Sequence, residues 1–263
     1  MPIIYALANQ KGGVGKTTTA VNLGAYLVER GQRVLLVDID PQANATSSLG
    51  VDKSLVSRST YDVLVNKASL AGIVQSVHQT ALELAPSSPN LAGATVELVG
   101  MLQREYRLHR AMEELDRSYD YVLIDCPPSL GVLTVSGLTA AHAVIIPVQC
   151  EYLALEGLSQ LSRAIKLVRR ALNPDLTLRG LLMTMYDART NLSQQVVEQA
   201  RWHFQQQVFD AIIPRSVRLS EAPSFGVPIS VHAPNSAGAK AYAALASELL
   251  DQDRHQPAAA ATD

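Results

Sequence analysis

One stretch restricts this chain more than any other: Asn9-Gln10-Lys11-Gly12-Gly13-Val14-Gly15-Lys16-Thr17-Thr18. The apolar run Ile3-Ile4-Tyr5-Ala6-Leu7-Ala8 precedes it and reads as a buried strand. Thr19 to Glu29 follows, with Ala20, Leu23, Gly24 and Leu27 at helical spacing. Strand, glycine-rich turn and helix, in that order, are the context of a phosphate-binding loop. Glycines let backbone N–H groups turn onto an anion with no Cβ in the way. The helix start adds unpaired N–H groups at the positive end of its dipole. Lys16 supplies a charge for β/γ-phosphates, and the Thr17 hydroxyl suits Mg²⁺. The spelling departs from G-x-x-x-x-G-K-[ST] at Gln10 and adds a second lysine, Lys11, at the loop entrance.

Two further apolar runs end in acids. Val34 to Val37 leads into Asp38-Ile39-Asp40-Pro41-Gln42, and Tyr121 to Ile124 leads into Asp125-Cys126-Pro127-Pro128. Open α/β sheets bind ligands beyond the carboxyl ends of their strands, so Asp38, Asp40 and Asp125 are expected where the glycine loop opens. A carboxylate downstream of such a loop serves Mg²⁺ in phosphate-loop ATPases. Further strands are expected at Leu82–Ala85, Ala143–Gln149, Leu178–Tyr186 and, as a short one, Ala211–Pro214. Helices are expected at Tyr61–Val65, Glu97–Leu115, Glu151–Leu172, Ser193–Gln206 and Ser236–Leu250. Arg30-Gly31 is a helix stop, Asn44–Gly50 reads as loop, and Arg215–Gly226 as polar loop or broken helix. Alternating strands and helices imply an α/β fold, a doubly wound and mostly parallel sheet flanked by helices. Residues 1–250 form one domain, and 251–263 read as a frayed polar tail.

Composition narrows the classes. About 48% of the 263 residues are hydrophobic and only 5% aromatic, with Ala, Leu and Val dominant, which suits buried parallel strands. Cys126 and Cys150 lack metal-type spacing and read as buried free thiols of a reducing compartment. No apolar run reaches the roughly 18 residues of a membrane span, and no signal peptide is visible ahead of the first strand. The six histidines form no ligand set; His109, His203 and His232 read as surface or packing residues. Trp202 is expected in the core or a dimer contact, near Phe204 and Phe209.

The motifs together resemble the deviant phosphate-loop ATPases of the ParA/MinD group, and over nearly the whole chain the short chromosomal ParA (Soj) proteins of bacterial DNA segregation. Besides the loop, the resemblance rests on Val37 to Gln42, Asp125 to Pro128, Glu151-Tyr152-Leu153-Ala154-Leu155-Glu156-Gly157, and the run Ile213-Pro214-Arg215-Ser216-Val217-Arg218-Leu219-Ser220-Glu221-Ala222-Pro223-Ser224-Phe225-Gly226. It implies an ATPase using ATP and Mg²⁺. Lys11, Gly12, Gly13, Val14, Gly15, Lys16, Thr17 and Thr18 would bind the nucleotide, and Pro214 and Ser216 would lie along the adenine. Family members often have Asn where Ser216 stands, so a backbone contact is the expectation there. Thr17, Asp38 and Asp125 would serve the metal. Lys11, Lys16 and Asp40 would be catalytic: Lys16 in its own subunit, Lys11 across an ATP-sandwich homodimer, Asp40 on the attacking water. Gly12 would let the facing backbones approach.

The net charge of −2 hides an asymmetry. Between residues 160 and 240 ten basic residues face five acidic ones, a local +5 that leaves −7 elsewhere. That is the pattern of a neutral protein with one nucleic-acid face. The resemblance implies DNA contact at Arg189 and Arg218, sequence-independent binding of double-stranded DNA, a ParB-like centromere-binding partner, and a cytoplasmic, nucleoid-associated location. Nothing in the sequence resembles a helix-turn-helix. A MinD-like membrane ATPase would need a basic amphipathic C-terminal helix, which Asp251 to Pro257 does not supply. A small-molecule ligase on the same scaffold, or a ParA-like positioner of another cargo, are the other readings.

Overall fold

Successive residues of the first strand enter different cores. Ile4 and Ala6 join one buried cluster and Tyr5 and Leu7 a second. Val34 to Val37 and Tyr121 to Ile124 divide in the same way. Side chains alternate across a strand, so a run apolar at every position needs cover on both faces. The computed structural model describes residues 2–115, 119–152 and 156–255.

In chain order these residues form β1 (Ile3–Leu7), α1 (Lys16–Glu29), β2 (Val34–Asp38), α2 (Asn44–Ser48), α3 (Thr60–Asn66), β3 (Gln75–Ser76), β4 (Glu83–Ala85), α4 (Leu91–Glu97), α5 (Arg107–Glu113), β5 (Tyr121–Asp125) and α6 (Val132–Ala140). There follow β6 (Ala143–Gln149), α7 (Glu156–Ala171), β7 (Thr177–Thr184), α8 (Asn191–Phe204), α9 (Val217–Glu221), α10 (Ile229–His232) and α11 (Ala237–His255). The sheet order is β3-β4-β2-β5-β1-β6-β7, with only the β3–β4 pair antiparallel. The expected doubly wound, mostly parallel fold is therefore present. One core lies under α1 and α11, and the other under α3 to α8. β1 sits between β5 and β6, so the loop after it opens near the centre of the sheet's carboxyl edge.

Several boundaries differ from expectation. Asn44–Ser48 is a short helix, because the Asp38 carboxylate accepts from the Thr46 backbone N–H at 2.9 Å and holds its first turn. Glu97–Leu115 is not one helix. It breaks at Gly100 and extended Met101, and Gln103 takes a left-handed φ of 54°. The break lets Leu98 and Leu108 share one core, with Met101 packed against it. Residues 211–214 form no strand: the Ile213 N–H reaches the Met183 carbonyl of β7 at 2.9 Å and Pro214 bridges Tyr186 beyond its end, but the Ala211 N–H goes to Glu248 at 2.9 Å instead of extending a ladder. Glu151 and Tyr152 precede α7 as a bend and turn; residues 153–155 lie outside the described residues.

The expected fraying from Asp251 is also corrected. α11 continues to His255, and Asp253 fastens it beneath the sheet. Asp253 accepts from the Tyr5 and Tyr121 hydroxyls at 2.6 and 3.0 Å and pairs with Arg179 at 2.9 Å. Burial and the adjacent carboxylate push the Tyr5 hydroxyl far above its ordinary value. Residues 256–263 lie outside the described residues. Trp202 is exposed, its ring edge-on to His203. Both cysteines are buried and free. Among the described residues no helix is long and apolar enough to cross a membrane.

Candidate functional site

The glycine loop is tied to two other strands, β6 through a main-chain carbonyl and β7 through a side chain. Asn9 donates to the Pro147 carbonyl at 2.8 Å and accepts from the Lys11 N–H at 3.0 Å. The Thr184 hydroxyl donates to the Val14 carbonyl at 2.9 Å. Gly13 and Gly15 have φ of 73° and 90°, which is why this turn needs glycine. Gly12 has no such constraint, and a Cβ there would meet only Pro128 at 4.0 Å. Gly15 is the N-cap of α1 and no side chain caps that end. The first-turn N–H groups of a 14-residue helix thus face the loop, where an anion can take them.

The two lysines differ. Lys16 is only 6% exposed, and its ammonium donates to the Lys11 carbonyl at 3.3 Å. Burial lowers its pKa, partly offset by Asp125. Lys11 points outward, its side chain 46% exposed, and pairs with Glu151 at 3.6 Å. This pairing has no signature in the sequence, because nothing in a linear pattern links a loop at 11 to a turn at 151.

The three acids converge as expected. Asp38 and Asp125 are register partners at the ends of β2 and β5, and neither is exposed. One Asp125 oxygen accepts from the Thr17 hydroxyl at 2.7 Å; the other, Oδ1, is buried with no partner. Burial, then the charge of Asp38, raises the Asp125 pKa well above the carboxylate range. A buried carboxylate oxygen left open beside a hydroxyl and an ammonium fits a bound cation. Asp38 is different. Its Oδ1 accepts from the Asp40 N–H at 3.0 Å, and its Oδ2 from the Thr46 N–H and hydroxyl at 2.9 and 2.7 Å. Burial still pushes it up to about 6. Asp40 is fixed through its backbone, as Ser87 donates to its carbonyl at 2.7 Å, while one carboxylate oxygen accepts from the Gln42 N–H at 2.9 Å. Thr46, Ser87 and Thr184 do not stand out in the sequence, since each lies in a polar stretch or at a strand end with no motif of its own.

Beside the helix start lies a cavity of about 410 Å³, lined by Gly15, Thr18, Met185, Pro214, Ser216 and Leu219 among others. It reaches the helix start at Gly15 and Thr18, and Pro214 and Ser216 line the same cavity. Arg189 follows β7 and Arg218 lies on α9, both exposed. Each is tied to an acid: Arg189 to Asp187 at 2.7 Å and Arg218 to Glu221 at 2.9 Å. Arg179 belongs to the buried Asp253 cluster, and so drops out of any surface patch.

A family profile described as AAA domain matches residues 2–178. The chain is 55% identical over 246 residues to the sporulation initiation inhibitor protein Soj of Bacillus subtilis (strain 168), covering 94% of this chain and 97% of that one. It belongs to the ParA/Soj family of chromosome-partitioning ATPases. Chromosome partitioning protein ParA of Myxococcus xanthus (strain DK1622) is 50% identical over 250 residues, with 95% and 88% of the two chains covered. A solved structure, cobyrinic acid a,c-diamide synthase from Mycobacterium smegmatis with bound ATP analog and magnesium, superposes with a TM-score of 0.86 at 42% identity, covering 97% and 96%. ParA/Soj membership accounts for the deviant loop, with its second lysine set apart from the first.

Proposed function

We propose that this ParA/Soj chain is a Mg²⁺-dependent ATPase that forms an ATP-sandwich homodimer, binds double-stranded DNA without sequence preference, and turns over slowly until a ParB-like partner stimulates it on the nucleoid. The observation that carries the reading is the contrast between the two loop lysines. Lys16 is folded into its own loop; Lys11 stands at the surface on an exposed ion pair, worth about 0–1 kcal/mol. A group so loosely held is available to a second nucleotide-bearing surface.

Within one subunit the α1 start and Lys16 bind the phosphates. Thr17 and Asp125 would hold Mg²⁺, which when bound offsets phosphate charge. Asp38 orders the segment that carries Asp40, and Asp40 orients the attacking water. Across the dimer Lys11 stabilises charge that develops in a water-poor interface. Loss of the γ-phosphate removes its counter-charge, and the dimer loosens. Gly12, unconstrained within its own chain, leaves room for the facing backbone.

The test is Lys11→Ala. ATP should still raise the melting temperature, while the ATP-dependent doubling of mass in light scattering and the retention of DNA disappear. Dimerisation at the wild-type ATP concentration would refute the reading. The name of the mycobacterial neighbour raises a second reading, a ligase using ATP to activate a carboxylate. Turnover raised by a small carboxylic acid, and not by DNA with a centromere-binding protein, would favour it.

A further inference from the structure

We propose that the exposed face of α7 is a docking surface for the phosphate backbone of duplex DNA, and that its uncompensated charge carries much of the salt-sensitive affinity. The inference rests on the DNA-binding reading above. Its starting point is an imbalance of charge. Arg189 and Arg218 each share their charge with a carboxylate of the same segment. On α7, Arg163, Lys166, Arg169 and Arg170 are all exposed, and among the described residues none makes an ion pair or a side-chain hydrogen bond.

The helix explains which of them act together. Leu158, Leu161, Ile165 and Val168 are buried in the core. At about 100° per residue, Arg163, Lys166 and Arg170 fall within a sector of about 60° on the opposite side. Residues 157–171 contain no Asp or Glu, and Glu156, which opens the helix, lies seven residues (about 10 Å of helix) before Arg163, so no acid stands within the Arg163–Arg170 stretch of that face. A last-turn position suits the helix dipole, which accounts for Arg170 but not for Arg163 and Lys166 one to two turns earlier. Arg163 to Arg170 spans about 10 Å of helix. Over that distance a duplex presents about three phosphates per strand, at about 3.4 Å of axis each. Three cations at this spacing match a phosphate row, and a polyanion without base-specific contacts is what such a surface recognises.

The experiment measures binding of the full-length protein with ATP to a random-sequence duplex across a salt series. The triple variant R163A/K166A/R170A should lower the slope of log K against log salt by about 2.7, at about 0.9 for each phosphate no longer neutralised. Melting temperature and DNA-free ATP turnover should stay at wild-type values. R163K/R170K, which keeps the charge, should retain the wild-type slope. An unchanged slope in the triple variant, with the wild type binding DNA, overturns the α7 surface and leaves the DNA reading intact. No DNA binding by the wild type overturns both. Flotation with phosphatidylglycerol vesicles, abolished in the triple variant while DNA binding persists, would assign the face to a membrane and also overturn the inference.

Discussion

Gly226 and Gly50 touch backbone to backbone, and this close approach can be measured by substitution. Gly226 ends the segment that carries Arg218, and has a φ of 69°. Gly50 ends the segment that carries Thr46, and has a φ of 78°. A Cβ on Gly226 would lie 2.6 Å from the Gly50 Cα, where carbon atoms need about 3.5–4 Å. Gly226→Ala therefore incurs two costs. Holding Ala in the left-handed region costs about 1–2 kcal/mol. Moving two backbones apart costs about 1–3 kcal/mol, as overpacking does in a core. The sum, about 2–5 kcal/mol, corresponds to a fall of roughly 4–20 °C at about 2–4 °C per kcal/mol for a chain near this size. Gly31→Ala is the control. Its φ is 81°, but a Cβ there meets nothing within 4 Å, so only the first cost applies. Thermal unfolding of the nucleotide-free protein, followed by circular dichroism, should rank wild type above Gly31→Ala and Gly31→Ala above Gly226→Ala. The smaller entropy of an unfolded Ala chain favours both variants alike and cancels in the comparison. Equal melting temperatures for the two variants would refute the argument that the close approach, and not only the φ, requires glycine at 226.

Other predictions concern the site. Asp125→Asn removes a buried charge but keeps an acceptor for Thr17, so the nucleotide-free protein should melt at or above the wild-type temperature. The Mg²⁺-dependent part of the ATP-induced rise, about 2.7 kcal/mol when ligand is near 100 Kd, should disappear in differential scanning fluorimetry; its survival would remove Asp125 from the cation site. Thr46→Val deletes one donor to Asp38, a loss of about 1.5–3 kcal/mol when the acceptor is charged, and leaves the buried Ser87 N–H, which Thr46 accepts at 2.9 Å, without its partner, a pH-independent loss of about 1–3 kcal/mol. Burial raises the Asp38 pKa to about 6, so its ionised form is the costly one, and stability from this group declines as pH rises from about 4 through 6. The Thr46→Val deficit should accordingly be larger at pH 8 than at pH 5; a pH-independent deficit would count against the hydrogen bond. Glu151→Gln should change stability by less than about 1 kcal/mol yet lower the protein concentration for ATP-dependent dimerisation several-fold by releasing Lys11. Weaker dimerisation would instead place Glu151 in the interface.

Elements whose signals are local were legible in the chain of residues alone. Continuous apolar runs at 3–8, 34–37, 121–124 and 143–148 read as strands covered on both faces, and each contains one. The glycines at 13 and 15, the lysine at 16 and the acids closing two strands marked the phosphate end of the site, because backbone freedom and charge at a strand end are properties of single residues and their neighbours. What depends on distant partners became visible only in the fold. It turned Asn44–Ser48 into a helix through a carboxylate eight residues earlier, and denied residues 211–214 a strand through Glu248. It bound residues 251–255 of the expected tail against β1 and β5 through Asp253, and took Arg179 out of the basic face. It separated Asp38, filled by donors from its own chain, from Asp125, left with one open oxygen. Side-chain hydrogen bonds form between groups tens or hundreds of residues apart, so no linear pattern records them. The deviant loop itself was legible from its letters, but the outward set of Lys11 on Glu151 appeared only when the fold brought residue 151 to residue 11.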